Sequence, residues 1–293
     1  MKVGLTLPQA PEDGDGASWA EIATLARLVE EGGGDSLWVC DHFLDRHPGR
    51  EVGYHEPFTL LAALAASTTR VTIGPLVAAT AFRSPGLLAK MASTLDSIAG
   101  GRLILGLGSG WHEPEFRAFG YPYDHLVGRF EESLVATRAL LDGERVTTAG
   151  SWTTLDDAVV LPTPERRIPI VVAGRGPRML RLAARHADGW QAAWFGWPDD
   201  DFRAQRDRMV SACRAERRSA SLQVFVGVEV TNPDGSGDPH LPFDAPAVAD
   251  GLAAWQDEGV DHVQLGVHPG TVRTFTTALD GIRRFRRFAA LPA

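Results

Sequence analysis

Cysteine is scarce in this chain: Cys40 and Cys213 are the only two among 293 residues. Two cysteines so far apart give neither a disulfide framework nor the CxxC pattern of redox and zinc sites. Long apolar runs are missing too, and none approaches the roughly 18 residues that a membrane span requires. The residues at 1–7 are few and run at once into Pro8-Gln9, which does not read as a secretory leader. Positive charge is in deficit, with 37 acidic residues against 29 basic ones and a formal charge of -8. That balance disfavours nucleic acid or an anionic membrane as the main partner. The one basic run is IRRFRRF, where Arg283, Arg284, Arg286 and Arg287 read as a solvated helix face. No repeat or low-complexity segment appears. These absences lead to the expectation of a cytoplasmic protein that acts on a small molecule.

What the chain does have is alternation. At 44% hydrophobic and 23% charged residues it can build an ordinary core. Short apolar segments predict strands at residues 2–8, 35–40, 70–75, 103–108, 168–174, 188–194, 222–230 and 260–267. Helical patterns fall between them. Ser18 is a predicted N-cap for a helix through residue 31, which Gly32-Gly33-Gly34 stops. A second helix is predicted over 58–67, and Ser84-Pro85 opens a third, with proline in the first turn. Further helices are predicted over 126–141, 178–186, 202–217, 247–258 and 271–288. Residues 144–160 read as a hairpin with Gly150 at its turn, an excursion of about 144–162 between strands four and five. The segment 232–246, rich in Gly, Pro and Asp, reads as a lid or linker. Eight strand–helix units in order predict a (β/α)8 TIM barrel, one domain over residues 1–293. A doubly wound sheet is the alternative, but eight units are many for it.

Barrel enzymes place their chemistry at the C-terminal strand ends, so those ends carry the candidates. Strand two, SLWVCDHF, ends on Asp41 and His42, a carboxylate beside an imidazole suited to general acid–base work. Strand four ends in GLGSGWHEPEF, with Gly108, Ser109, Trp111 and His112. It lacks the GxGxxG spacing of a dinucleotide site and better fits close backbone access for a flat ligand. Strand five ends in AGRGP: Gly174 and Gly176 admit a ligand to the backbone, and Pro177 starts a helix. Helix-terminal amides with Arg175 and Arg178 nearby suit a phosphate, and equally suit a tight turn that needs glycine. Trp111, Trp190, Trp194 and Trp197 are candidates for a pocket wall, whereas Trp38 reads as core. Asp41-His42, His55-Glu56 and His112-Glu113 lack the HxH or HExxH spacing of a metal site. The expectation is therefore no metal, with a metal-dependent hydrolase kept as a rival of another class.

Three segments together give a resemblance over essentially the whole chain. They are SLWVCDHF, the stretch RVTIGPLVAATAFRSPGLLAKMASTLDSIAGGRLILGLGSGWHEPEFRAFGYPYD, and PIVVAGRGPRMLRLAARHADGW. The chain resembles the luciferase-like monooxygenase superfamily, and within it the oxidoreductases that use the deazaflavin coenzyme F420. The resemblance implies His42 near the reacting carbon and Asp41 beside it, orienting it or tuning its pKa. It implies a bulge with a non-prolyl cis peptide at Leu76-Val77, with Gly108 and Ser109 lining the cofactor. It also implies that Ala173, Gly174, Arg175, Gly176 and Pro177 hold the phosphodiester. Trp111, His112 and Trp194 would form the substrate pocket. A sugar-phosphate branch of the family carries a glutamate where this chain has Trp111. Glu113 and Glu115 are offset from that position, so the glutamate's role is not carried over. Hydride transfer with F420 is the implied activity, in a homodimer, and FMN-dependent monooxygenation on the same fold is the alternative.

Overall fold

The computed structural model describes residues 1–9, 17–47, 49–231 and 240–289. β1 (Lys2–Thr6) is followed by α1 (Trp19–Gly32). Ser18 caps α1 reciprocally: its hydroxyl accepts from the Glu21 N–H, while Glu21 accepts from the Ser18 N–H. Gly33, at φ 92°, ends that helix in the left-handed conformation that glycine tolerates. After β2 (Ser36–Val39), an outer ribbon of β3 (Leu44–His47) and β4 (Arg50–Gly53) precedes α2 (Pro57–Ser67). β5 (Thr72–Pro75) and β6 (Ala78–Ala79) are two halves of one barrel strand, followed by α3 (Pro85–Ile98). The Ser84 hydroxyl accepts from the Leu87 N–H to start α3.

β7 (Leu105–Gly108), α4 (Glu113–Phe119) and α5 (Leu126–Leu141) come next. Between α5 and β10 (Ile170–Ala173) stands an antiparallel ribbon of β8 (Val146–Ala149) and β9 (Thr154–Ala158). The Glu132 carboxylate accepts from the N–H groups of Ser151, Trp152 and Thr153 at its tip and fixes the ribbon to α5. The chain continues through α6 (Pro177–His186), β11 (Gly189–Phe195), α7 (Asp200–Ala215) and β12 (Gln223–Thr231). It closes with β13 (Leu241–Pro242), α8 (Ala245–Asp257), β14 (His262–Val267) and α9 (Val272–Ala289). The expected lid or linker divides here. Residues 232–239 lie outside the described residues, as does the 10–16 loop. The rest supplies β13, parallel to β12, and Asp244, whose carboxylate caps α8 at the Ala247 N–H.

The parallel sheet runs β5-β2-β1-β14-β12-β11-β10-β7-β6. An isolated bridge from Ile73 to Leu103 brings β5 back beside the start of β7 and leaves a nearly closed barrel. Strands in such a barrel are buried on both faces, which is why they read as continuous apolar runs. The outward side chains, such as Val3, Leu5, Leu37, Ile73, Val226 and Leu265, pack in the core that also holds the helix residues. Inside the barrel a smaller cluster of Trp38, Leu76, Val171 and Phe225 fills the bore. Trp38 fits there because β1 and β5 offer glycine. A Cβ on Gly74 would stand 2.8 Å from its ring, and one on Gly4 2.9 Å from its indole nitrogen.

Candidate active site

SLWVCDHF sends successive side chains in different directions, and that alternation builds the barrel mouth. The Gln9 amide clasps the end of β2, accepting from the Cys40 N–H and donating to the carbonyls of Cys40 and His55. Asp41 is buried, and both of its oxygens are taken. Arg83 donates to them at 2.6 and 3.1 Å, and the Ala79 N–H donates at 2.8 Å. Burial pushes the Asp41 carboxyl up against the pull of these donors. Burial also opposes the charge on Arg83, but its bonds to Asp41 and Glu56 outweigh that and raise its pKa. Phe43 stacks among Phe82, Phe119 and Tyr121, with ring centroids 4.7, 5.0 and 6.1 Å away.

His42 has a different partner from the one expected. Its Nδ1 lies 2.9 Å from Glu115 Oε1, and the other Glu115 oxygen accepts from the Phe43 N–H at 3.0 Å. The Glu115 side chain is 2% exposed and that of His42 21%. Asp41 is not the partner of the imidazole in this structure: it ties the β2 end to β6 and to Arg83 ahead of α3, and the carboxylate at His42 is Glu115. The sequence does hold a signal for this. Glu113 pairs with Arg117 one helical turn on at the surface of α4, which leaves Glu115 for the inner side beside buried Phe116. Arg83 had no such local signal, because its partners lie 42 and 27 residues away. Tyr54, Trp111 and His112 surround the His42 ring at centroid distances of 5.5, 5.6 and 6.4 Å.

The other expected site residues fall into distinct places. The peptide Leu76-Val77 is cis, as the resemblance implied. Val77 packs against the next strand at positions where β7 has glycine: a Cβ on Gly106 or Gly108 would come within 3.0 or 2.8 Å of its methyls. A second non-prolyl cis peptide, Ala193-Trp194, was not anticipated. It repeats the arrangement, since a Cβ on Gly227 of β12 would meet the Trp194 ring at 2.6 Å. Ser109 follows Gly108 at the end of β7, and its hydroxyl donates to the Gly110 carbonyl.

Ala173, Gly174, Arg175, Gly176 and Pro177 form the β10–α6 turn. Gly176 is the N-cap of α6 with no side-chain cap, and nothing lies within 4 Å of where its Cβ would be. The N-terminus of α6 thus has no side-chain cap and no acidic residue in its first turn, which fits a phosphate group. Arg175 donates to the Ala193 carbonyl at 3.3 Å, and Arg178 pairs with Glu131. Of the proposed pocket tryptophans, Trp111 is 65% and Trp194 38% exposed. Trp190 is corrected to core: it is fully buried, and its indole N–H donates to the Gly174 carbonyl at 3.0 Å. His112 is also displaced from an open pocket. It is buried, and its Nε2 accepts from the Arg46 N–H of β3.

A cavity of about 760 Å³ opens on the β1 and β14 side of the mouth. Trp194 and Tyr54 line it, together with Thr6, Cys40, Glu229 and His268 from the strand ends. Burial, aided by the charges of Glu229 and Asp41, pushes the Cys40 thiol up to about 12. It is therefore a neutral lining group rather than a nucleophile. Among the described residues no cluster of three His, Cys, Asp or Glu could hold a metal ion. Asp41 and Glu56 both accept from Arg83, and His42 pairs with Glu115.

Known proteins resemble the chain in sequence and in fold. The F420-dependent glucose-6-phosphate dehydrogenase of Beutenbergia cavernae is 39% identical over 169 residues, covering 56% of this chain and 49% of that protein. The enzyme of the same name from Amycolatopsis mediterranei is 35% identical over 176 residues, covering 58% and 52%. The match thus spans about half the length of these curated relatives. Among solved structures, an F420-dependent secondary alcohol dehydrogenase with an F420-acetone adduct superposes with a TM-score of 0.83 at 18% identity, covering 97% of this chain and 99% of the other. The coenzyme F420-dependent tetrahydromethanopterin reductase of Methanopyrus kandleri gives 0.76 at 19% identity, covering 97% and 100%. At such identities the structures show the barrel fold alone. The model of the luciferase-like monooxygenase family matches residues 1–234, and the chain belongs to that family.

Proposed function

We propose that this chain is a one-domain F420-dependent oxidoreductase that moves a hydride between the deazaflavin ring and a small organic substrate. The observation that carries the reading is His42 at the barrel mouth, held at Nδ1 by a buried carboxylate and half-open to the site. The names of the curated relatives support the choice of cofactor. A 5-deazaflavin supplies two-electron hydride chemistry at carbon when bound. In this reading Leu76, Val77, Gly108 and Ser109 would lie along the ring, and Ala173 to Pro177 would hold the phosphodiester. With Nδ1 engaged by Glu115, His42 keeps Nε2 to hydrogen-bond or protonate at the reacting centre. Trp111 and Trp194 would exclude water from the substrate. The test is titration of the purified protein with oxidised F420 and, separately, with FMN. Tight binding of F420 is expected; tight FMN binding with none of F420 would sink the proposal.

A homodimer in the cytoplasm belongs to the same reading. α3 presents Leu87 and Ile98 at 53% and 48% exposure, on a stripe that continues through Met91. Both cysteines are free thiols, which suits a reducing compartment. Light scattering at the monomer mass would count against the dimer.

A further inference from the structure

The cavity beside β1 and β14 has an unusual charge inventory for a protein with these relatives. Among the described residues no lysine or arginine lines it; the charged or titratable walls are Glu21, Glu229 and His268, with Tyr54 and the neutral Cys40 thiol. His268 is not available as a lone cation, because its Nε2 lies 3.1 Å from Glu229 Oε2. The N-terminus of α1 also borders the cavity and would ordinarily favour an anion. Here that end is already filled: Ser18 and Glu21 cap each other, so a carboxylate sits where an anion would dock. Of the cations elsewhere at the mouth, Arg83 pairs with Asp41 and Glu56 and Arg178 with Glu131, while Arg175 donates to the Ala193 carbonyl and does not line the cavity. Thr6 contributes a buried hydroxyl that has no partner among the described residues. Leu7, Val267, Pro269 and the Trp194 ring supply apolar wall, and the remaining polar lining groups, Gln9, Thr24 and Thr271, are uncharged.

We infer that the substrate taken by this cavity is a neutral or cationic organic molecule that donates a hydrogen bond to Glu229, and that phosphate esters and carboxylates are excluded. The inference rests on the proposed oxidoreductase reading only in calling the ligand a substrate. A hydroxyl or amine placed against Glu229 and Thr6 gains an acceptor in a partly dry site, where charge interactions are strong. A phosphate placed there meets the Glu229 carboxylate, the Glu21 carboxylate at the α1 cap and, among the described lining residues, no cation except His268, which already pairs with Glu229.

The test uses the full chain without cofactor and three probes of similar size: benzyl alcohol, benzylamine and benzyl phosphate, with glucose 6-phosphate as a fourth. Binding is read as quenching of tryptophan emission, and Trp194→Phe shows whether the signal comes from this cavity. The alcohol and the amine are expected to bind, with both phosphates weaker by roughly tenfold or more. Glu229→Gln, isosteric and checked by its unfolding midpoint, is expected to weaken the amine more than the alcohol and to narrow the gap to the phosphates. Benzyl phosphate binding as tightly as benzyl alcohol overturns the inference. So does the absence of any probe binding, or an unchanged preference in folded Glu229→Gln. Because no cofactor is present, a charge preference that survives a failed F420 titration would sink the cofactor reading and leave this one standing.

Discussion

Each end of the barrel bore holds a histidine, a tryptophan and an oxygen partner, yet the two ends do opposite things. At the N-terminal end His262 is 2% exposed, its Nε2 lies 2.7 Å from the Ser36 hydroxyl, and that hydroxyl also accepts from the Trp38 indole at 2.7 Å. Phe225 stacks on the ring at 5.0 Å. Burial, with help from Lys2 and the chain's amino terminus, pushes His262 down to about 3, so it stays neutral. At the C-terminal end His42 has a carboxylate as its partner and keeps 21% of its side chain exposed. A sealed imidazole with a hydroxyl partner packs the bore; one with a carboxylate partner and access to solvent can exchange protons. Residue type does not separate the two, whereas partner and burial do.

The comparison can be broken most severely at the salt bridge that holds the mouth together. Arg83→Met would leave the Asp41 carboxylate buried with no counter-charge. Its cost should be about 3–5 kcal/mol in chemical unfolding, far more than a surface ion pair. A loss under about 1 kcal/mol would mean that Asp41 does not depend on Arg83. At His42, the group proposed to act at the reacting centre, His42→Asn should lower turnover by roughly 10²-fold or more without loss of F420 binding, as removal of a general acid–base group does. Glu115→Gln keeps the shape but replaces the carboxylate that holds Nδ1, and should lower turnover by roughly tenfold with F420 binding unchanged; unchanged turnover would reduce Glu115 to packing.

The sealed end makes a pH prediction with a definite sign. The folded pKa of His262 is about 3 against an ordinary 6.5, so between those values the unfolded chain binds a proton that the folded chain refuses. This contribution is fully present above pH 6.5 and is lost toward pH 3, by about 1.4 kcal/mol per pH unit. His262→Asn should flatten that acid limb, whereas His42→Asn should leave it in place. The smallest effect belongs to the rim: Ser18→Ala removes one half of the α1 cap and should cost about 1 kcal/mol, read as a lower midpoint of thermal unfolding.

Much of this architecture was legible in the chain because it depends on neighbours in sequence. Ser18 and Glu21 cap a helix three residues apart, Ser84-Pro85 starts another, and Gly33 ends the first. The site was legible only in outline. His42 could be placed at a strand end from SLWVCDHF, but its partner Glu115 lies 73 residues on, and the clasp from Gln9 lies 31 residues back. Adjacency suggested Asp41 as that partner and misled, since neighbouring residues at a strand end point to different sides. Trp190 misled for the same reason: one position along β11 decides between the helix-facing core and the bore.

By itself, the sequence determined the class of fold, the order of its units and the rim that carries chemistry, because periodicity, caps and glycine turns act over a few residues. The tertiary structure alone decided which carboxylate became a buried clamp and which an orienting partner. It also decided which histidine was sealed and which stayed in reach, and it gathered an acidic, cation-poor cavity from the separate ends of β1, β2, β11, β12 and β14. Those choices turn on desolvation and on contacts across tens to hundreds of residues, which exist only once the barrel has closed.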